Sequence, residues 1–94
     1  DIVILDVKEL TSLTDYFILC TSESNPQTKA AMDHIYKNMR ANGLRPNNLE
    51  DTKTLEWVAM DYFNVVIHIF NKETRDYYQF ERLWGDAKIE KIDE

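Results

Sequence analysis

Cys20, His34, His68, the Thr21-Ser22 pair and Asp61 are the residues of this 94-residue chain with the types to support chemistry. A transition-metal site needs cysteine and histidine ligands at short, recurring spacings. Cys20, His34 and His68 stand far apart, and neither histidine has the other near it. A nucleophilic thiol needs a neighbouring positive charge or a helix N-terminus. Cys20 sits instead in the apolar run Asp15-Tyr16-Phe17-Ile18-Leu19-Cys20-Thr21, where a thiol is usually an inert core filler. Ser22 follows that run, just before helix-start residues. Its hydroxyl can bind a phosphate or, more simply, satisfy loop backbone groups. Asp61 has no carboxylate two residues away, so the paired acids of two-metal chemistry are missing. With two glycines, Gly43 and Gly85, no glycine-rich phosphate loop can form. The expectation is no catalytic residue, no metal and no cofactor.

Trp57 and His68 are more informative. Trp57 shares a strand face with Ala59 and Asp61, a mixed surface rather than a pure core stripe. His68 interrupts the apolar run Val65-Val66-Ile67-His68-Ile69-Phe70. One reading is a core tryptophan and a satisfied histidine. The other is a docking face, since tryptophan is enriched among interface hot spots.

The elements that must position these residues follow from patterning. Ile2 to Val7 and Asp15 to Thr21 read as buried strands. Ser24 and Gln27 have capping-box spacing, Pro26 suits a first turn, and Met32, Ile35, Tyr36 and Met39 form a helical stripe ending near Asn42. Gly43 is the C-cap candidate. Arg45 to Lys53 reads as a surface loop. Leu55 to Asp61 and Val65 to Phe70 read as an antiparallel hairpin whose turn chemistry comes from Asn64. A last helix is expected from Glu73 to Trp84, with Tyr77, Phe80, Leu83 and Trp84 as its apolar face. Asp86 to Glu94 reads as a frayed tail or an extra helix turn. Two helices on one sheet face would leave the other face for a missing helix or a partner.

Composition sets the outer limits. The length allows one domain. Eleven basic against seventeen acidic residues give a formal charge of −6, which disfavours a phosphate-dominated nucleic-acid binder and favours a basic partner. A lone cysteine excludes an internal disulfide and suits a reducing compartment. No apolar run approaches the ~20 residues of a membrane span.

In order along the chain stand Asp1-Ile2-Val3-Ile4-Leu5-Asp6-Val7, Thr14-Asp15-Tyr16-Phe17-Ile18, Ala31-x-x-His34, Gly43-Leu44-Arg45-Pro46, Trp57-Val58-Ala59-Met60-Asp61-Tyr62, Val65 to Phe70, and Glu81-Arg82-Leu83-Trp84-Gly85-Asp86-Ala87. Together they resemble the ribosomal silencing factor, or Iojap-like, family. The resemblance implies an α/β fold of the α+β type: a mixed sheet of four or more strands with flanking helices, nucleotidyltransferase-like without catalytic residues. It would span residues 1–87, with 88–94 a charged tail.

The resemblance also implies a non-enzymatic, cytoplasmic translation repressor. Its partner would be the large ribosomal subunit, through the ribosomal protein numbered fourteen, with little direct RNA binding and no membrane; a homodimer is left open. Organelle relatives act in large-subunit assembly, which is the alternative role, and a nucleotide-binding enzyme is a third. By family position Trp57 is the docking anchor, Asp61 and His68 are polar contacts, Glu81 is a charge-matching residue, and Trp84 is divided between core and contact. Three departures stand out: Phe63-Asn64 replaces a Gly-Asp pair and puts an aromatic ring at the hairpin tip, Ser22 replaces a glycine, and a leading helix is not in this sequence. The last is expected to leave one sheet face less covered.

Overall fold

Strand β1 (Ile2–Asp6) pairs antiparallel with β2 (Tyr16–Ser22), and β2 leads into helix α1 (Asn25–Ala41). Ser24 caps α1, its side chain accepting from the Gln27 amide at 3.2 Å, and Pro26 lies in the first turn. The far end closes as a Schellman motif. Gly43 takes φ +80°, the Gly43 amide donates to the Arg40 carbonyl, and the Leu44 amide donates to the Met39 carbonyl. After α1 come β3 (Asn48–Asp51), β4 (Trp57–Asp61), β5 (Val65–Asn71), α2 (Lys72–Tyr78), α3 (Phe80–Leu83) and β6 (Lys88–Ile92). This computed structural model describes residues 2–46, 48–51 and 55–92, without the side chains of residues 48–51, 78, 81 and 83.

The sheet has six strands in the order β3-β4-β5-β2-β1-β6. Among the described residues only β2 and β5 run parallel; the other neighbours are antiparallel. The expected mixed sheet with flanking helices is therefore present. Side chains alternate between its faces. Val3, Leu5, Phe17, Leu19 and Phe70 face one way with Phe80, Trp84 and Ala87. Val58, Met60, Ile67 and Ile69 face the other way, against Ala31, Met32, Ile35 and Tyr36 of α1.

Five expectations need correction. The helices do not share a face: α1 covers one side of the sheet and α3 the other, so neither face of the central strands is left bare. The segment read as a loop from Arg45 to Lys53 contributes β3, pairing Asn48 with Asp61 and Asp51 with Val58. Residues 47, 52 and 53 of that segment lie outside the described residues.

The last helix is broken. Gln79 adopts φ 48°, ψ 55° and ends α2, its amide donating to the Arg75 carbonyl. That break turns Phe80 into the core and leaves Tyr77 82% exposed, off the apolar face it was expected to join. The tail is not frayed through Lys88–Ile92, which pairs along β1 as an edge strand. At the hairpin tip, Phe63 rather than Asn64 takes the left-handed conformation, φ 70°. An Asp61 carboxylate oxygen holds the turn by accepting from the Phe63 amide at 2.9 Å. The Asn64 carbonyl instead accepts the Asp15 and Tyr16 amides, tying the hairpin to β2.

Candidate functional site

The β4–β5 hairpin sets the site. Its register places Trp57 opposite Phe70 and Ala59 opposite His68. Trp57 and His68 are thus diagonal neighbours on one face, within reach of each other's long side chains. The Trp57 indole Nε1–H donates to His68 Nδ1 at 2.9 Å.

That bond dictates the histidine's chemistry. Nδ1 must carry a lone pair, so the proton of the neutral ring sits on Nε2. His68 Nε2 is buried with no hydrogen-bond partner. Rings surround it: Phe80 at 4.7 Å between centroids, Phe17 at 5.4 Å, Trp57 at 5.8 Å and Phe70 at 5.9 Å. Burial disfavours the imidazolium and pushes the His68 pKa down to about 4. One ring nitrogen is committed to Trp57 and the other is shut away from solvent, so the imidazole is not placed to exchange protons with a substrate.

Trp57 is different. It lies half-buried at the start of β4, with its ring 5.0 Å from Phe70. Trp84 is also half-buried and packs 5.1 Å from Phe17. Trp57, His68 and Trp84 therefore join one aromatic cluster, in which Phe17, Phe70 and Phe80 are the buried members. Those three phenylalanines escaped the sequence reading as site residues. The hairpin turn alone would have found Phe70, since counting back from Phe63-Asn64 sets it opposite Trp57.

Asp61 is not part of the cluster. It ends β4 about 13 Å along the strand from Trp57, at roughly 3.3 Å per residue, and is engaged at the turn. Glu81 lies in α3 between the core residue Phe80 and the exposed Arg82, and its side chain lies outside the described residues. Beside Asp61, Phe63 is 64% exposed at the hairpin tip.

The residues weighed for catalysis have structural positions. Ser22 is buried; its hydroxyl donates to the Phe70 carbonyl at 3.3 Å and hydrogen-bonds the Thr28 hydroxyl, joining β2, β5 and α1. Cys20 packs with the aliphatic cluster below α1. His34 is exposed on α1, next to Asn38. No cluster of His, Cys, Asp and Glu suited to a metal occurs among the described residues. Nor is any helix among them long and apolar enough to cross a membrane.

Comparison with known proteins gives this arrangement a context. The family model described as "Ribosomal silencing factor during starvation" matches residues 1–94. "Ribosomal silencing factor RsfS" of Bacillus subtilis (strain 168) is 36% identical over 93 residues, covering 99% of this chain and 79% of the relative. The fold matches the crystal structure of a Chromobacterium violaceum protein with a TM-score of 0.86 and 38% identity, over 90% of this chain and 71% of that one. A mouse protein named "Mitochondrial assembly of ribosomal large subunit protein 1" is 28% identical over 89% of this chain, which spans only 38% of that protein.

Proposed function

The chain belongs to the ribosomal silencing factor family, and from that premise we propose that it docks on the large ribosomal subunit and blocks joining of the small one. The partner is the ribosomal protein numbered fourteen, the setting is the cytoplasm, and the effect is repression of translation. Blocking of this kind needs no chemistry, only bulk held at a required interface; a contact of about 800 Å² per partner suffices. A charge of −6 suits a basic ribosomal protein.

One observation supports carrying this reading onto particular residues. Trp57 is half-exposed yet fixed by His68 and Phe70. A rigid, partly exposed tryptophan loses little side-chain freedom on binding, which is what a hot-spot anchor requires. In this proposal Trp57 is the anchor and Trp84 flanks it. Asp61 supplies a polar contact from the hairpin end, and Glu81 matches charge. His68, only 7% exposed, acts by holding Trp57 rather than by touching the partner.

The test is co-sedimentation with purified large subunits, followed by addition of small subunits. Wild type should bind and prevent joining. Trp57→Ala should lose binding while its circular dichroism stays native. A folded Trp57→Ala that still binds and blocks would refute the anchor assignment.

The mouse relative's name supports a second reading, a role in large-subunit assembly through the same face. Preferential sedimentation with immature particles would select it.

A further inference from the structure

The chain's acidity is not uniform. Two adjoining hollows, of about 460 and 590 Å³, run along the outer side of α2 and share Arg75 and Asp76. The first lies between α2 and β6, with Lys72 on one wall and Lys91 on the other. Lys91 projects from the same sheet face that α2 covers, because it pairs with the core residue Val3. The second continues past the break at Gln79 to Arg82. Among the described residues, four cations therefore line one trough against two carboxylates, Glu23 and Asp76. Of the chain's eleven basic and seventeen acidic residues, that leaves seven against fifteen elsewhere, so the trough is cationic within a chain that is acidic overall.

The trough also has fixed features. Thr21 Oγ1 accepts from Arg75 Nη1, which orients the guanidinium at the end of β2. The Gln79 side chain does the same for Arg82, its Oε1 accepting from Nη1 at 3.0 Å. Planar guanidinium groups held this way suit phosphate oxygens. The hollows are shallow and continuous rather than closed, which fits a polymer of phosphates better than one small ligand.

We propose that the trough formed by Lys72, Arg75, Arg82 and Lys91 is a contact surface for an RNA sugar-phosphate backbone. The inference deepens the docking reading and rests on it: a protein settling on a ribosomal particle meets RNA phosphates next to any protein partner. An acidic chain with a small cationic trough would bind RNA weakly and without sequence preference.

Fluorescence anisotropy with a labelled single-stranded RNA of about 12 nucleotides and arbitrary sequence tests this. The full chain should bind at low salt, with affinity falling as salt rises. The variant carrying K72E, R82E and K91E removes three exposed cations and leaves Arg75 and its threonine in place. It should bind at least about tenfold more weakly, and its salt slope should shrink by about 2, given roughly 0.7 per single-strand phosphate contact.

Reversal of Lys8, Lys29 and Lys37, which lie outside the trough, is the control. An equal loss there would overturn the proposal, as would absence of wild-type RNA binding. Polyglutamate competing as well as RNA would assign the trough to acidic protein and also overturn it. Large-subunit binding by the same preparations separates the two ideas. A wild type that sediments with large subunits but binds no RNA sinks the trough alone, whereas Trp57→Ala losing sedimentation but keeping RNA binding supports two independent contacts.

Discussion

The two faces of the sheet solve the same packing problem with different chemistry. Beneath α1 the contact is aliphatic: Val58, Met60, Ile67 and Ile69 meet Ala31, Met32 and Ile35. On the opposite face Phe17, Phe70 and Phe80 surround a histidine, and two tryptophans finish the cluster at its margin. An aliphatic face needs only the right volume. An aromatic face with a buried imidazole must also satisfy ring geometry and hydrogen bonding. It ends in two half-buried tryptophans, of which Trp57 is oriented by its bond to His68. The first face serves the fold, and the second also carries the margin on which the docking proposal rests.

Truncation inside each face should give the largest effects. Phe70 is fully buried at the centre of the aromatic cluster, so Phe70→Ala should cost about 4 kcal/mol, measured by urea unfolding. Ile69→Ala, next along the same strand but on the aliphatic face, should cost about 3 kcal/mol. Only the first should also alter the fluorescence of Trp57, because only Phe70 touches that ring. A change in Trp57 emission from Ile69→Ala equal to that from Phe70→Ala would dissolve the distinction between the faces.

Acid should separate the faces next. His68 has a pKa near 4 in the folded protein, against about 6.5 when unfolded. Between those values the unfolded chain binds a proton that the folded chain does not, so stability rises with pH across the window. The contribution is complete above about pH 6.5 and is lost as pH falls through 4. The difference corresponds to about 3 kcal/mol. His68→Phe keeps an aromatic ring and removes the titration, so its stability should be flatter by that amount between pH 6.5 and 4. Parallel wild-type and variant curves would show that His68 is not the buried base described above. Protonating Nδ1 also removes the acceptor for Trp57, so the tryptophan signal should change in the same window.

A smaller step isolates the hydrogen bond. Trp57→Phe retains an aromatic ring but loses the indole N–H, and should cost about 1 kcal/mol. In the His68→Phe background the same change should cost almost nothing. Additivity of the two substitutions would mean the 2.9 Å contact contributes no coupling.

How far the sequence foretold this depends on which interactions leave a local signature. The helix caps at Ser24 and Gly43 were legible because few residue types satisfy those backbone geometries. The central strands were legible because burial on both faces demands continuous apolar runs. β3 and β6 were not. Every residue of β6 is exposed, and edge strands are commonly short and charged, so nothing in Asn48–Asp51 or Lys88–Ile92 marks a strand except a neighbour to pair with. The placement of the helices on opposite faces was missed because it follows from strand order, which depends on long-range pairing. Trp57 and His68 were singled out by their unusual settings. Their bond to each other, and the three phenylalanines around them, became visible only with the register.

The broken last helix is the sharpest of these failures, and it yields the smallest predicted effect. Tyr77, Phe80 and Trp84 have the spacing of one apolar stripe, and no glycine or proline interrupts them. The interruption is made by Gln79, in a left-handed conformation that a non-glycine residue adopts only at some cost. What offsets that cost is burial: the turn seats Phe80 against Phe17, His68 and Phe70 and leaves Tyr77 outside. Were the helix continuous, Tyr77 would pack beside Phe80, and Tyr77→Ala would cost several kcal/mol, as large-to-small core changes do. With the break in place, the expected cost is within about 0.5 kcal/mol. Gln79→Gly should be neutral or slightly stabilising, since glycine accepts the left-handed geometry without the side-chain clash. A large loss from Tyr77→Ala would mean the aromatic face extends over α2 as the spacing suggests. A negligible one confines it to the cluster built around His68.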